Sequence, residues 1–188
     1  MPFTKKQLEN YADVLIWGAA AERPKPFKPY DTVIVRVNLD AVPLAEVLHR
    51  KLISRRMNVV FRYLPPPGIE KDFFMFSDSS QRKFINAGEK ELSQASNGLI
   101  ALNAPASLTH LKDVDPKRMA EVAIAKKPMR DIWNKREEQG QFSWTLCTYP
   151  TEDLARNARL SMKEYARQIA KACLLDEKDP VGKWKQIF

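Results

Sequence analysis

Histidine, cysteine and glycine are scarce in this chain. Its 188 residues include two histidines, His49 and His110, two cysteines, Cys147 and Cys173, and six glycines. Protein metal centres usually take several ligands from histidine, cysteine and carboxylate side chains, so this shortage limits metal chemistry before any motif is sought. The glycines fit neither the dinucleotide-binding fingerprint nor the phosphate-loop pattern. Dinucleotide binding is therefore disfavoured.

Long apolar runs are also lacking. The longest is the eight-residue stretch Val14–Ala21, whereas a membrane-spanning helix needs about 20 apolar residues. The basic residues before this run imitate a signal peptide, but Glu9 and Asp13 interrupt the approach to it. Thr4 and Gln7 fit a helix capping box instead. We therefore expect an amphipathic helix here and no membrane contact.

The cysteines lie far apart and show no CxxC spacing. Cys173 falls on the apolar stripe of a predicted helix and is interpreted as a buried thiol, and Cys147 falls in a predicted strand. The sequence leaves a Cys147–Cys173 disulfide open, but it favours a reduced pair in a cytoplasmic protein.

The charge balance is basic but dispersed. Lysine and arginine number 31 against 23 acidic residues, which gives a net charge of +8, and 44% of the residues are hydrophobic. Nine of the basic residues lie on two predicted helices, within 50–56 and 117–130, interleaved with acids, and no nucleic-acid motif accompanies them. A solvated face is the favoured interpretation, and a nucleic-acid surface is the weaker alternative.

Four apolar segments predict strands, at 31–38, 58–64, 99–102 and 142–148, with helical patterns between them. Strands that alternate with helices imply a mainly parallel sheet. We predict an α/β fold with about four strands and helices on both faces, in a Rossmann-like or flavodoxin-like three-layer arrangement. In the last strand Phe142, Trp144 and Leu146 alternate with polar residues, and we expect Trp144 to pack in the core.

Ligands of such sheets bind beyond the carboxyl ends of the strands. The relevant loops begin at Asn38, Leu64, Asn103 and Tyr149. One hypothesis is therefore a stand-alone α/β module that binds a small anion or nucleotide at this edge. Glu46 and His49 have a helical i, i+3 spacing, but only one copy of the motif exists, so a solvated face is favoured. His110 lacks any second ligand at metal-binding spacing and is interpreted as a loop residue.

Three ordered motifs resemble one family. They are the opening segment Leu8–Leu15, the segment Trp144–Thr151 that ends in Tyr-Pro-Thr, and Asp179-Pro180-Val181 followed by Trp184. Together they resemble the thermophilic metalloprotease family of aminopeptidases, the group of aminopeptidase T, aminopeptidase S and PepS. The resemblance extends from about Leu8 to Trp184.

The resemblance implies a cytoplasmic, homodimeric enzyme that releases N-terminal residues from peptides with a pair of divalent metal ions of the zinc or cobalt type. The ligands of those metals belong to the second half of family members, so no catalytic residue and no metal ligand is assigned to this chain. We expect residues 1–175 to form an N-terminal α/β domain, and residues 176–188 to be a linker into a catalytic domain that the chain lacks.

Two residues of the Tyr-Pro-Thr segment are candidates for the wall of a peptide cavity. Tyr149 and Thr151 fall at the predicted ligand edge of the sheet. Thr151 is also placed to cap the helix that follows it. By itself, the 188-residue chain is expected to be inactive, to bind no metal, and to partner its own catalytic domain.

Overall fold

A computed structural model of the chain describes residues 1–21 and 23–188. Helices and strands alternate along most of this length. The elements are α1 (Lys5–Ala21), β1 (Thr32–Val37), α2 (Val42–Ser54), β2 (Asn58–Tyr63), α3 (Pro67–Phe76), α4 (Ser79–Lys83), α5 (Glu89–Ala95), β3 (Ser96–Asn103), α6 (Pro116–Ala125), α7 (Lys127–Glu138), β4 (Ser143–Thr148), α8 (Glu152–Asn157), α9 (Met162–Ala172) and α10 (Pro180–Ile187).

The strands form one parallel sheet in the order β2-β1-β3-β4. This confirms the predicted α/β fold with a four-stranded parallel sheet. This is the flavodoxin-like order. From β1 the chain adds β2 on one side of the sheet and then β3 and β4 on the other, so the strand order reverses between β1 and β3. All four strands start within three residues of the predicted positions.

Local sequence signals set the helix boundaries. The Thr4 amide donates to Gln7 Oε1 at 2.8 Å, and the Gln7 amide donates to Thr4 Oγ1 at 3.2 Å, which completes the predicted capping box of α1. Asp115 caps α6 through the Lys117 amide. The helix that begins there stops at Ala125 and restarts at Lys127, since proline at position 128 cannot continue the hydrogen-bond ladder.

The main core lies between one sheet face and helices α1 and α2. Alternate residues of β1 (Val33, Val35 and Val37) point to this face and are at most 1% exposed. Leu48 of α2 and Leu15 of α1 pack against them as buried members of the same cluster. Burying each such side chain contributes about 1.5–3 kcal/mol to the free energy of folding.

The opposite sheet face is less completely covered, and one prediction about it is wrong. Trp144 was expected in the core, but it is 50% exposed, and Leu146 is 49% exposed. The core face of β4 carries Ser143 and Cys147 instead, both buried. Among the described residues β4 pairs only with β3, so its apolar alternation marks the open face of an edge strand rather than the core.

The last helix packs on the first. The ring of Trp184 in α10 stacks on Trp17 of α1 at 6.4 Å between centroids, and its indole N–H donates to the Cys173 carbonyl at 3.3 Å. Phe188 meets the same Trp17 ring edge-on at 5.9 Å. The domain boundary at residue 176 stays a prediction.

Both cysteines are free thiols. Cys147 is buried, and desolvation raises the pKa of its thiol to about 12. It is therefore protonated and poorly nucleophilic at neutral pH. Across the described residues, no helix combines the length and apolarity needed to span a bilayer.

Replacement of Leu48 tests the assignment of the core. Leu48→Ala is expected to lower the free energy of unfolding by about 2–5 kcal/mol, because the side chain is fully buried and leaves a cavity. The matched control is Ile53→Ala on the same helix, where the side chain is 52% exposed and the change should stay within about 0.5 kcal/mol. Urea unfolding measures both, and equal losses would contradict this packing.

Candidate functional site

A crevice opens at the carboxyl edge of the sheet, beside the ends of β1, β2 and β3. Its volume is about 280 Å³. It lies where the strand order reverses, which is the usual ligand position in open parallel sheets. Three of the four loops expected to form the ligand edge line it. The wall consists of Asn38, Leu39, Asp40, Leu64, Pro65, Pro66, Pro67, Glu70, Ala104, Pro105, Ala106, Ser107 and His110.

Asn38 holds the floor of the crevice in place. Its backbone N–H donates to the Leu102 carbonyl at 3.3 Å, and its side-chain oxygen accepts from the Ala104 amide at 2.9 Å. These bonds join the ends of β1 and β3. The Leu64 amide donates to the Val37 carbonyl at 2.9 Å, which fixes the third loop in the same way.

One carboxylate–imidazole pair faces the crevice. His110 Nε2 lies 2.9 Å from Glu70 Oε2, and His110 Nδ1 lies 3.1 Å from the Ser107 carbonyl oxygen. Glu70 comes from the first turn of α3, and His110 comes from the loop after β3. Both ring nitrogens lie within hydrogen-bond distance of an oxygen atom, so the position of the His110 ring is fixed at both ends. The Glu70 carboxylate has further lone pairs that can accept a hydrogen bond from a polar group.

The crevice is acidic. Asp40 and Glu70 line it, and no lysine or arginine belongs to its wall within the described residues. Two carboxylates repel phosphate and other anions. The electrostatics therefore oppose the alternative hypothesis of a nucleotide or small anion at this edge, and they favour cationic or hydrogen-bond-donating groups.

The two candidate cavity-wall residues lie behind this crevice. Tyr149 is 1% exposed and packs edge-on against Phe3 at 5.4 Å. Burial raises the pKa of its phenol, and the negative charge of Asp40 adds to the shift. The buried hydroxyl has no hydrogen-bond partner in the part of the chain that the structure describes. A cavity-wall role for Tyr149 stays a prediction.

Thr151 connects α8 to the crevice. Its hydroxyl accepts from the Leu154 amide at 3.3 Å, as a cap of α8, and donates to the carbonyl of Pro105 at 2.8 Å. Pro105 is part of the crevice wall. Asp153 of α8 accepts from the Leu108 amide at 2.7 Å and so holds the same loop. Thr151 thus supports the wall from behind, and its direct role stays a prediction.

The described residues do not fit a two-metal centre. Nowhere in residues 1–21 and 23–188 do three histidine, cysteine, aspartate or glutamate side chains converge as ligands. The nearest approach in the crevice is the single pair of Glu70 and His110. Glu46 is exposed, and His49 packs against the Phe61 ring at 5.4 Å. A two-metal hydrolytic site needs several converging ligands, so we derive no metal-dependent step from this chain.

Sequence reasoning missed the pairing of Glu70 with His110. The signal was present, because Glu70 follows β2 and His110 follows β3. Loops that follow parallel strands share one edge of the sheet. The interpretation of His110 as an isolated loop residue considered neighbours in sequence only.

The support that Thr151 gives to the crevice can be measured. Thr151→Val is expected to lower the free energy of unfolding by about 1–2 kcal/mol, because it removes both a helix cap and the partner of the Pro105 carbonyl. Thr151→Ser keeps the hydroxyl and serves as the control. Urea unfolding of the two variants compares them, and equal stability would show that the hydroxyl contacts contribute nothing.

Comparison with known proteins identifies relatives of this chain. The model of the thermophilic metalloprotease family, M29, matches residues 4–188. No curated protein matches the sequence. Among solved structures, wild-type AmpT from Thermus thermophilus matches with a TM-score of 0.69 and 14% sequence identity.

The match to AmpT covers 97% of this chain and 45% of that chain. At this identity the likeness shows a shared fold. The chain thus spans less than half the length of the structure it resembles. The family assignment rests on the family model, which extends over nearly every residue. The chain belongs to the thermophilic metalloprotease family, M29.

Proposed function

We propose that this chain is the N-terminal α/β domain of a metal-dependent aminopeptidase that releases N-terminal residues from peptides. The observation that carries the proposal is the family match over residues 4–188. The family is one of metalloproteases, so a metal cofactor is implied at the family level. The zinc or cobalt type of the metal pair is part of the proposal.

Two observations support a non-catalytic role for these residues. The chain spans 45% of the length of AmpT, which leaves room in such a protein for a second unit. The described residues also lack three converging metal ligands. In this proposal the metals are held by a catalytic domain outside the 188 residues, and this domain is the chain's principal partner.

In that enzyme the crevice would contact the peptide substrate. Asp40 and Glu70 provide carboxylates, and His110 adds a polar ring. Such a wall suits the ammonium group and backbone N–H groups of a peptide better than an anion. Tyr149 and Thr151 would shape the same wall from behind. A homodimeric assembly and a cytoplasmic location complete the proposal.

An activity assay on the purified chain tests whether these 188 residues are inactive without a catalytic domain. With added zinc or cobalt, the 188-residue protein is expected to show no turnover of leucine p-nitroanilide, because no two-metal site is formed by its described residues. Equilibrium dialysis with elemental analysis should show no stoichiometric pair of bound zinc ions. Metal-dependent turnover by this chain would contradict the proposal.

A second experiment examines the proposed partner. The coding frame is read beyond the codon for Phe188, and the whole product is purified. A longer protein whose leucine p-nitroanilide hydrolysis is lost with a chelator and restored by zinc or cobalt is expected. A stop codon at that point, with no separately encoded catalytic partner, would count against the domain assignment.

A further inference from the structure

A second, larger cavity lies on the open face of the sheet, away from the crevice and from the main core. Its volume is about 650 Å³, within the range of roughly 300–1,000 Å³ typical of small-molecule sites. Its floor is the face of the sheet that carries Trp144 and Leu146. Its roof includes residues of α5, α6 and α7. The proposed peptidase function gives this cavity no role.

The strand register places two arginines side by side on its floor. Arg36 of β1 is in register with Arg62 of β2 on one side and with Ala101 of β3 on the other. Ala101 is in turn in register with Leu146 of β4. One row across the sheet therefore reads Arg, Arg, Ala, Leu. Like charges on neighbouring positions of one sheet face repel each other.

Only one of these two arginines has a carboxylate partner among the described residues. Arg62 forms an ion pair with Glu89 of α5 at 3.0 Å. The side chain of Arg36 has neither an ion pair nor a hydrogen bond within residues 1–21 and 23–188, and its buried Nε is without a partner. The other carboxylate of the wall, that of Glu137, accepts from the Trp144 indole N–H at 3.0 Å.

The rest of the cavity wall is also more basic than acidic. Lys126 and Arg130 add two further cations from the helical roof. The wall therefore holds four basic side chains against two carboxylates, and both carboxylates already have partners. A guanidinium that is partly withdrawn from water and unpaired is destabilising. An anion bound beside Arg36 would remove that penalty.

Polar contacts also tie the roof to the neighbouring helices α3 and α4. Arg82 of α4 donates from Nε to Glu121 of α6 at 2.7 Å. Arg118 of α6 donates to the carbonyls of Phe74 and Met75 at the end of α3, at 2.7 and 2.8 Å. The roof also meets the strands: the Trp133 indole N–H donates to Ser96 Oγ at 3.1 Å, and Glu89 and Glu137 make the contacts with Arg62 and Trp144 described above.

Large apolar side chains complete the wall. Trp133 stacks on Phe142 at 5.6 Å, and both line the cavity together with Leu99, Met129, Trp144 and Leu146. We infer that this cavity binds an organic carboxylate with an apolar body, whose carboxylate pairs with Arg36 while its apolar part covers Leu99, Trp144 and Leu146. This site is independent of the peptidase proposal.

Octanoate is the probe, and octan-1-ol is the uncharged control of equal chain length. Isothermal titration calorimetry of the purified chain at neutral pH is expected to show tighter binding of octanoate, by about tenfold or more. Only octanoate can form a charge-assisted hydrogen bond with Arg36, and the expected tenfold difference corresponds to about 1.4 kcal/mol. Equal binding of the two compounds, or no binding of octanoate, would overturn the inference.

Variants locate the charge that recognises the ligand. Arg36→Met keeps an unbranched apolar side chain and removes the guanidinium group, so octanoate affinity should fall by about tenfold while octan-1-ol binding stays unchanged. Arg167→Met, at an exposed position on α9, is the matched control and should change neither. Unchanged octanoate binding in Arg36→Met contradicts the proposal.

A second pair of variants gives a result even if Arg36→Met does not fold. Leu146→Glu places a negative charge at the half-exposed end of the same row, and Leu146→Gln is its neutral control. Leu146→Glu should weaken octanoate binding more than Leu146→Gln does, with no such difference for octan-1-ol. An identical effect of the two variants on octanoate binding would contradict the proposal.

The four tryptophans report the position of the bound ligand by nuclear magnetic resonance. Trp133 and Trp144 line the cavity, whereas Trp17 and Trp184 pack on each other between α1 and α10. Octanoate should shift the indole N–H signals of the first two and leave those of the other two in place. Shifts confined to Trp17 and Trp184 would place the ligand elsewhere and overturn the assignment.

Discussion

The parallel pairing of β1 with both β2 and β3 is the constraint on which the rest of the structure depends. It buries the alternating valines of β1 against α1 and α2 on one side of the sheet. It also brings the loops after β1, β2 and β3 to one edge of the sheet, where the gap between these loops forms the crevice. The same register aligns Arg36 with Arg62 on the other face. The core, the acidic crevice and the basic cavity are thus consequences of one set of strand pairings.

The two sheet faces are covered differently. On the core face, helices α1 and α2 contribute continuous apolar stripes that leave the central strand almost inaccessible to water. On the other face, polar contacts such as that between Arg82 and Glu121 tie the roof to neighbouring helices. The contacts of the roof with the strands include polar pairs, such as that of Arg62 with Glu89. A cavity of ligand size remains under the roof, with Arg36 on its floor.

Family membership and local chemistry give complementary information. The match to the thermophilic metalloprotease model extends over residues 4–188, yet the described residues bring together no three metal-ligating side chains. Fold and catalytic site are separable in proteins, because a site depends on a few converging groups and a fold depends on the whole core. The acidic crevice and the basic cavity also differ in electrostatic sign, so they would select different ligands. Their positions, at the edge of the sheet and on its open face, keep them apart.

Local signals in the sequence determined much of this protein. Periodicity and capping residues such as Thr4 and Thr151 defined the helices, and the alternation of strands with helices defined a parallel α/β sheet, because these effects act over a few neighbouring residues. The ordered motifs indicated the family. The tertiary structure decided which face of each strand is covered. It left Trp144 half-exposed in the wall of a cavity, paired Glu70 with His110 across two loops, and set Arg36 beside Arg62. Each of these depends on strand order and register, which are long-range properties that no short segment of the chain contains.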